Sequence, residues 1–401
     1  MTSILAMLAG IALLLVVLQD AFEVMLLPRR VQRSLRFMRL FFRATWTVWS
    51  RLGARLPAGA RRERFLSVFG ALSMVLLFAL WATALILAFA LIEWSLQPPG
   101  PAPGTGASFF SEQAYMSGVT FFTLGYGDVV PHTPGARVVA VFEAGTGIGF
   151  IAVVIGYLPV LYQLFSRREA HVIQLDGRAG SPPTAGTMLA RHAEADGLDK
   201  LDELLREWEI WGSELLESHL SYPMLAYYRS QHDNQSWLAA MACVMDTCAL
   251  VLVGVEALRP LQARMTFTMA RQVLVEMARS FQIQPSRFDG GDRLDAAAFA
   301  RLMAVFEEAG VGWTGGAQAE ETLAALRATY EPLLDGLGRY LLLPLPGWTA
   351  GDGDADHWER GHRGLIASHL VEQLSSRGGA FKADGDDAMR WRRLLSRFRS
   401  D

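Results

Sequence analysis

The stretch Phe121–Asp128, FFTLGYGD, sets two glycines around a tyrosine and follows them with a carboxylate, and it lies between two long apolar runs. Two glycines within Thr123–Gly127 disfavour both helix and strand. A backbone alternating between left- and right-handed conformations would instead aim successive carbonyls to one side. Gly125 and Gly127 supply the positive φ values that such a path needs. Rings of carbonyls drawn from several copies of such a loop can replace the water shell of a small cation. The carboxylate of Asp128 would stand at the outer mouth and raise the local cation concentration.

Such irregular backbone is tolerated at membrane depth only where protein buries it or it lines a watery cavity, so the flanking elements decide the reading. Phe65 to Ile92 carries no charge at all, and Val138 to Phe165 is interrupted only by Glu143. Each exceeds the ~20 residues a helix needs to cross ~30 Å of hydrocarbon. Ile4 to Leu27 is a third such run, with Asp20 and Glu23 near its end. Its positive charges follow the apolar stretch, which reads as a retained span and not a cleaved leader. Pro28–Arg64 holds eleven arginines and one acid, Glu63, and Arg167–Arg168 closes the third run. Arginine beside spans marks the cytoplasmic side. The amino terminus is therefore expected outside, and everything after Phe165 inside. The Pro- and Gly-rich Gln97–Ser108 reads as an external linker, with Ser111 as N-cap and Glu112 and Gln113 in the first turn of a short helix. About ten helical residues cannot span a bilayer, which predicts a re-entrant hairpin. Its C-terminal dipole end would also favour a cation.

At these residues the chain resembles the potassium-channel family. Thr123-Leu-Gly-Tyr-Gly-Asp128 looks like that family's selectivity filter, and Phe65–Phe165 follows its order of outer span, turret, pore helix, filter and inner span. The resemblance implies potassium ions held by the carbonyls of Thr123, Leu124, Gly125 and Tyr126 and by the Thr123 hydroxyl, with Gly127 completing the filter. One filter per chain implies a homotetramer. Gly147 falls twenty residues after Gly127, where the family carries its gating glycine, and Pro131 is also typical. Three departures alter the surroundings of the filter. Val119 stands where some members have a glutamate, Phe122 replaces a second hydroxyl residue, and Tyr115-Met116 takes the place of a tryptophan pair. Glu143, an intramembrane carboxylate, needs a partner: it either supplies the missing polar contact to the pore helix or faces the cavity. Tyr115, Val119 and Glu143 are thus the expected filter supports.

Gly145, Gly147 and Gly149 lie in one inner helix, where glycine permits bending or close packing; Gly147 is the expected hinge, and Pro159 a kink nearer the cytoplasm. Arg30, Arg33, Arg36 and Arg39 recur every third residue like a voltage sensor, but only one span precedes them. An amphipathic helix on the inner leaflet, arginines towards anionic headgroups, is the better reading. His132, near the outer mouth, reads as a solvated histidine.

Residues 1–168 balance at +7 and 169–401 at −10. An acidic soluble half excludes general nucleic-acid binding. That half reads as helical over Leu201–His219, Ser236–Leu258, Leu261–Phe281, Asp295–Ala309, Ala317–Leu343, Trp358–Ser375 and Asp386–Phe398. Trp237–Leu258 is apolar enough to suggest a fourth span, but the central Asp246 favours a buried core helix. Cys243 and Cys248 read as small buried residues. The GxGxxG of Gly310–Gly315 follows a helical stretch, without the strand a dinucleotide site requires. Asp352, Asp354 and Asp356 begin like a calcium loop but lack its later ligands, and His357, His362 and His369 lie nearby. No enzyme constellation and no organic cofactor is legible, and the cytoplasmic ligand is unnamed.

The expected fold is an all-α membrane protein with three transmembrane helices, a re-entrant pore helix and filter loop, and an all-α cytoplasmic domain. Its parts are a first span (1–28), a basic interfacial segment (29–64), a pore domain (65–166) and a regulatory or assembly domain (167–401). The expected function is a tetrameric potassium channel of the cell membrane, multi-pass, gated at the inner helices. The alternatives are a weakly selective cation channel and a non-conducting membrane sensor that uses the pore unit as a tetramerisation scaffold.

Overall fold

The computed structural model describes residues 2–25, 37–57, 59–97, 109–194, 197–230, 234–256, 258–283 and 291–351. These lie within one compact unit, Met1–Asp354; the arginines at 29–36, the Asp352–Asp356 and histidine cluster, and the two helices expected after Trp358 lie outside them. Among the described residues the fold is helical, with no strand beyond an isolated bridge between Val255 and Trp313. Three helices are long and apolar enough to cross a membrane: α1 (Thr2–Met25), α3 (Ala60–Leu96) and α5 (Pro134–Ala179).

Between the first two lies α2 (Phe37–Ala54), which turns back along the start of α3. Trp49 stacks on Phe65 at 4.5 Å, Trp46 meets Phe69 edge-on at 4.9 Å, and a side chain on Gly53 would strike Leu66. Between α3 and α5 sits α4 (Phe109–Phe121). Because α4 starts at Phe109, Ser111 lies inside its first turn and is not the N-cap; the apolar Phe109 and Phe110 join the helix, with Phe110 held edge-on against Trp94. The 46 residues of α5 rise about 69 Å, far more than a bilayer core needs. It starts at a capping Thr133 and runs unbroken through Pro159 and past residue 166, so that Val172, Leu175 and Ala179 bury themselves in the helical bundle that follows.

That bundle comprises α6 (Ala185–Glu194), α7 (Leu198–Ser221), α8 (Trp237–Val253), α9 (Pro260–Phe281), α10 (Ala296–Ala309), α11 (Ala317–Ala328) and α12 (Glu331–Leu341), with a 3-10 turn over Pro223–Tyr227. α8 is its centre: Trp237 to Val251 is buried throughout, including both free cysteines. At 17 residues it is also short for a span. Asp246 at its midpoint accepts a hydrogen bond from Tyr330 (2.7 Å) and pairs with Arg293, so a core helix carries a carboxylate without leaving it unmatched. The single helix expected over Ala317–Leu343 is two: Pro332, in the first turn of α12, has no N–H to continue the α11 ladder. Gly310 closes α10 with φ of 72°, so the GxGxxG glycines serve a helix C-cap and the turn after it.

His219, buried at the end of α7, has its pKa lowered from 6.5 to about 3, first by burial and then by the facing Arg168 guanidinium. The unfolded chain takes up this proton near pH 6.5 and the folded chain only near pH 3. Between those values the unfolded state holds more protons, so stability falls as pH drops, by about 1.4 kcal/mol per unit. Asp246, raised from 3.8 to about 6 by burial, works in the opposite sense between those two values. Thermal unfolding from pH 7.5 to 5 should therefore show a decline that starts below 6.5 and weakens below 6. His219→Gln should remove that decline.

Candidate functional site: a glycine loop on a half-length helix

α4 is pinned on both flanks by polar side chains set in apolar surroundings. Ser117 Oγ lies within hydrogen-bond distance of both the Ile86 carbonyl of α3 (2.8 Å) and the Glu143 carboxyl group of α5, so one hydroxyl, with a single proton to donate, sits where three helices meet. Glu143 is completely buried, and Ser117 is the α4 residue it meets. A turn further out, the Gln97 amide donates to Gln113 (2.7 Å) while its oxygen accepts from the His132 backbone N–H (3.1 Å). Glu93, also fully buried, finds no hydrogen-bond partner among the described residues.

The loop after α4 has a distinctive backbone. Thr123, Gly125 and Gly127 have φ of 57°, 63° and 78°, while Leu124 and Tyr126 between them do not enter the left-handed region. Positive φ at the two glycines matches their residue type. At Thr123 it does not: a β-branched residue there costs about 1–2 kcal/mol, and strain of this kind persists only where the surroundings impose it. Here the Thr123 N–H donates to the Thr120 carbonyl (3.0 Å) and the Leu124 N–H to the Val119 carbonyl (2.8 Å), fastening the loop to the end of α4. At its far end, Asp128 accepts from the Tyr115 hydroxyl (2.9 Å) and from the Val129 N–H (3.0 Å). The loop is thus moored to α4 at both ends. Between the moorings it is bare: Tyr126 is 67% and Leu124 54% exposed.

The expected support residues fall into place unevenly. Tyr115 and Glu143 make side-chain bonds, Val119 contributes its backbone carbonyl, and Met116 is buried. Gly147 meets the loop's origin: a Cβ there would lie 1.9 Å from the Phe121 carbonyl oxygen, whereas at Gly145 and Gly149 it would meet nothing within 4 Å. Sequence reasoning missed Ser117, Gln97 and Gln113, which are ordinary polar residues until the helices bring them together. It also missed the strain at Thr123, which no residue type announces.

In the C-terminal half of α5 a second cluster forms. Arg168 is buried and donates to the carbonyls of Leu225 (2.8 Å) and Tyr228 (2.7 Å) and to Glu169 (2.8 Å). Its neighbour Arg167 stays exposed near Glu214. Arg229 in turn bridges Glu63 at the start of α3 (2.5 Å) and the Leu341 carbonyl at the end of α12 (2.6 Å). Tyr228 lies against Gly70 of α3, and Tyr227 packs on Phe42, Trp46 and Phe69. Residues 223–229 are therefore wedged between the spans and the bundle.

Two long apolar helices thus embrace a half-length helix, and a strained glycine loop is moored to that helix. Residues 74–163 match the ion channel family. The chain is similar to two-pore potassium channel 4 of Arabidopsis thaliana, with 34% identity over 76 residues, 19% of this chain and 23% of that protein. It is also similar to a voltage-gated potassium channel of Aeropyrum pernix, with 28% identity over 114 residues, 28% of this chain and 35% of that protein. No solved structure matches the chain. Residues 74–163 therefore carry an ion-channel domain within a multi-pass membrane framework, and the two relatives are potassium channels. The chain spans about a quarter to a third of the length of these relatives.

Proposed function

We propose that four copies of this chain assemble around their Thr123–Gly127 loops into a potassium-selective channel of the cell membrane, with α4 as a re-entrant pore helix. The observation that carries the reading is the alternation of backbone hand at Thr123, Gly125 and Gly127. That alternation turns successive carbonyls to one side, where those of Thr123, Leu124, Gly125 and Tyr126, with the Thr123 hydroxyl, replace the hydration of a potassium ion. One loop reaches an ion from one side only, so closure requires further copies. The bare Leu124 and Tyr126, together with Val141 and Phe142 at 73% and 71% exposure on α5, supply the surfaces that assembly covers. The C-terminal end of α4 points its partial negative charge towards the same loop.

In this reading the bundle is cytoplasmic, the basic segment faces the inner leaflet, and α5 transmits gating movements through Gly145–Gly149 and Pro159. Tyr115–Asp128 and Ser117–Glu143 take over the bracing that other filters draw from tryptophans and a pore-helix glutamate. Rubidium uptake into proteoliposomes, blocked by barium, tests conduction. Reversal potentials between potassium and sodium separate a selective pore from a weakly selective one. A scaffold without conduction would show no uptake at all.

Gly125→Ala is expected to abolish selective uptake. Alanine at φ of 63° costs about 1 kcal/mol per copy, hence about 4 kcal/mol for a ring of four, enough to favour a collapsed filter. Retained flux with unchanged ion preference would remove the carbonyl-ring reading.

A further inference from the structure

α2 has two faces, and among the described residues only one is covered. Phe42, Trp46, Trp49 and Gly53 follow helical spacing and pack inwards on α3 and on the bundle, where Trp46 donates to the Tyr340 carbonyl (2.9 Å) and Phe42 stacks on Tyr227 at 5.7 Å. The opposite side presents Leu40, Val48 and Leu52 at 65%, 60% and 44% exposure, four or eight residues apart, with Ala44 between the first two. Three residues beyond each of these leucines and valine stand the exposed Arg43, Arg51 and Arg55. α2 contains no acid, and Arg43 alone of the three reaches the bundle, through Gln282.

We propose that this outer face of α2 docks on the anionic lipid surface at the arginine-rich ends of the spans, with Leu40, Val48 and Leu52 entering the headgroup boundary and Arg51 and Arg55 meeting lipid phosphates. Its position supports that occupant: the contacts with Phe65, Leu66 and Phe69 hold α2 beside the first turns of α3, whose exposed Arg61 and Arg64 extend the same charge. An apolar row flanked by cations, without acids, fits an anionic interface and not water or a neutral protein surface. Because Tyr227 lies against Phe42 and Trp46 on the inner face, lipid engagement would press on the same wedge that Arg168 holds against α5. The inference needs the spans in a membrane but not a conducting pore.

The test attaches a fluorophore to the full chain at position 48 (Val48→Cys) or 40 (Leu40→Cys), since Cys243 and Cys248 are buried. Vesicles of phosphatidylcholine and phosphatidylglycerol then receive a spin-labelled quencher of either headgroup. A label on α7 at Ile210→Cys, 54% exposed in the bundle, is the control. Quenching at 48 and 40 should exceed that at 210 and should favour the phosphatidylglycerol quencher by at least about fivefold, the weight of a single interfacial arginine. Arg51→Gln with Arg55→Gln should cancel the preference while leaving rubidium uptake in neutral lipid unchanged. Quenching no stronger than at 210, equal quenching by both headgroups, or cross-linking of position 48 between copies would each overturn the proposal, whether or not the pore conducts.

Discussion

Replacing Gly147 by alanine is expected to eliminate rubidium uptake, while the same replacement at Gly145 or Gly149 should preserve it. A Cβ on residue 147 would sit 1.9 Å from the Phe121 carbonyl oxygen and 2.8 Å from its carbon. Both atoms are backbone, so no rotamer change relieves the clash; the end of α4 or the whole of α5 must move by more than an ångström. Phe121 is the last residue of α4, two before Thr123, whose strained conformation depends on bonds to Thr120 and Val119. Overpacking in a core ordinarily costs about 1–3 kcal/mol, and here it falls on the mooring of the loop. Gly145 and Gly149 have open space on the single chain. Uptake and thermal unfolding of the three variants in parallel check this. Wild-type uptake by Gly147→Ala would mean that α5 and α4 do not touch there in the working protein, and would leave bending as the reason for the glycine.

Arg168→Met is expected to be the most disruptive single change in the C-terminal half of α5. The guanidinium satisfies the carbonyls of Leu225 and Tyr228 and the Glu169 carboxylate at once; Leu225 and Glu169 are buried and Tyr228 is half-buried. Removing it strands a buried carboxylate and two carbonyls, a loss of about 3–5 kcal/mol. Arg168→Lys should recover little, since an ammonium lacks the planar fork that serves three acceptors. Hydrogen exchange over residues 223–229 should rise sharply in both variants, with smaller change over α8. If α5 gates through this wedge, uptake should also lose its normal dependence on the bundle, appearing as a constitutively raised or lost flux. Unchanged exchange at 223–229 would show that Arg168 does not hold the wedge.

The lengths of the spans, the half-length of α4 and the glycine positions of the loop were legible because each is a property of a short window. Apolar run length sets what can cross a bilayer, and residue type sets which φ is affordable at 125 and 127. The same local logic read Trp237–Leu258 as a core helix from one aspartate, and α8 is buried from Trp237 to Val251. It failed at the start of α4, where Phe109–Phe110 joined the helix ahead of Ser111, because packing on Trp94 outweighed the capping signal. It also missed the break between α11 and α12, where Pro332 was read as part of a continuous helix.

By itself, then, the sequence determined three helices long and apolar enough to cross a membrane, the arginine-rich segments that flank them and a loop whose glycines permit an alternating backbone. Only the tertiary structure decided which of two adjacent arginines is buried: Arg168 enters the wedge while Arg167 stays in solvent, and nothing in the local pattern separates them. It likewise decided that Glu143 meets Ser117, that Gly147 and not Gly145 touches α4, and that α2 leaves one face uncovered. The reason is one of range. Hydropathy and backbone preference act within a few residues, whereas these partners stand 26 to 60 positions apart, and only the packing of whole helices brings them within a hydrogen bond.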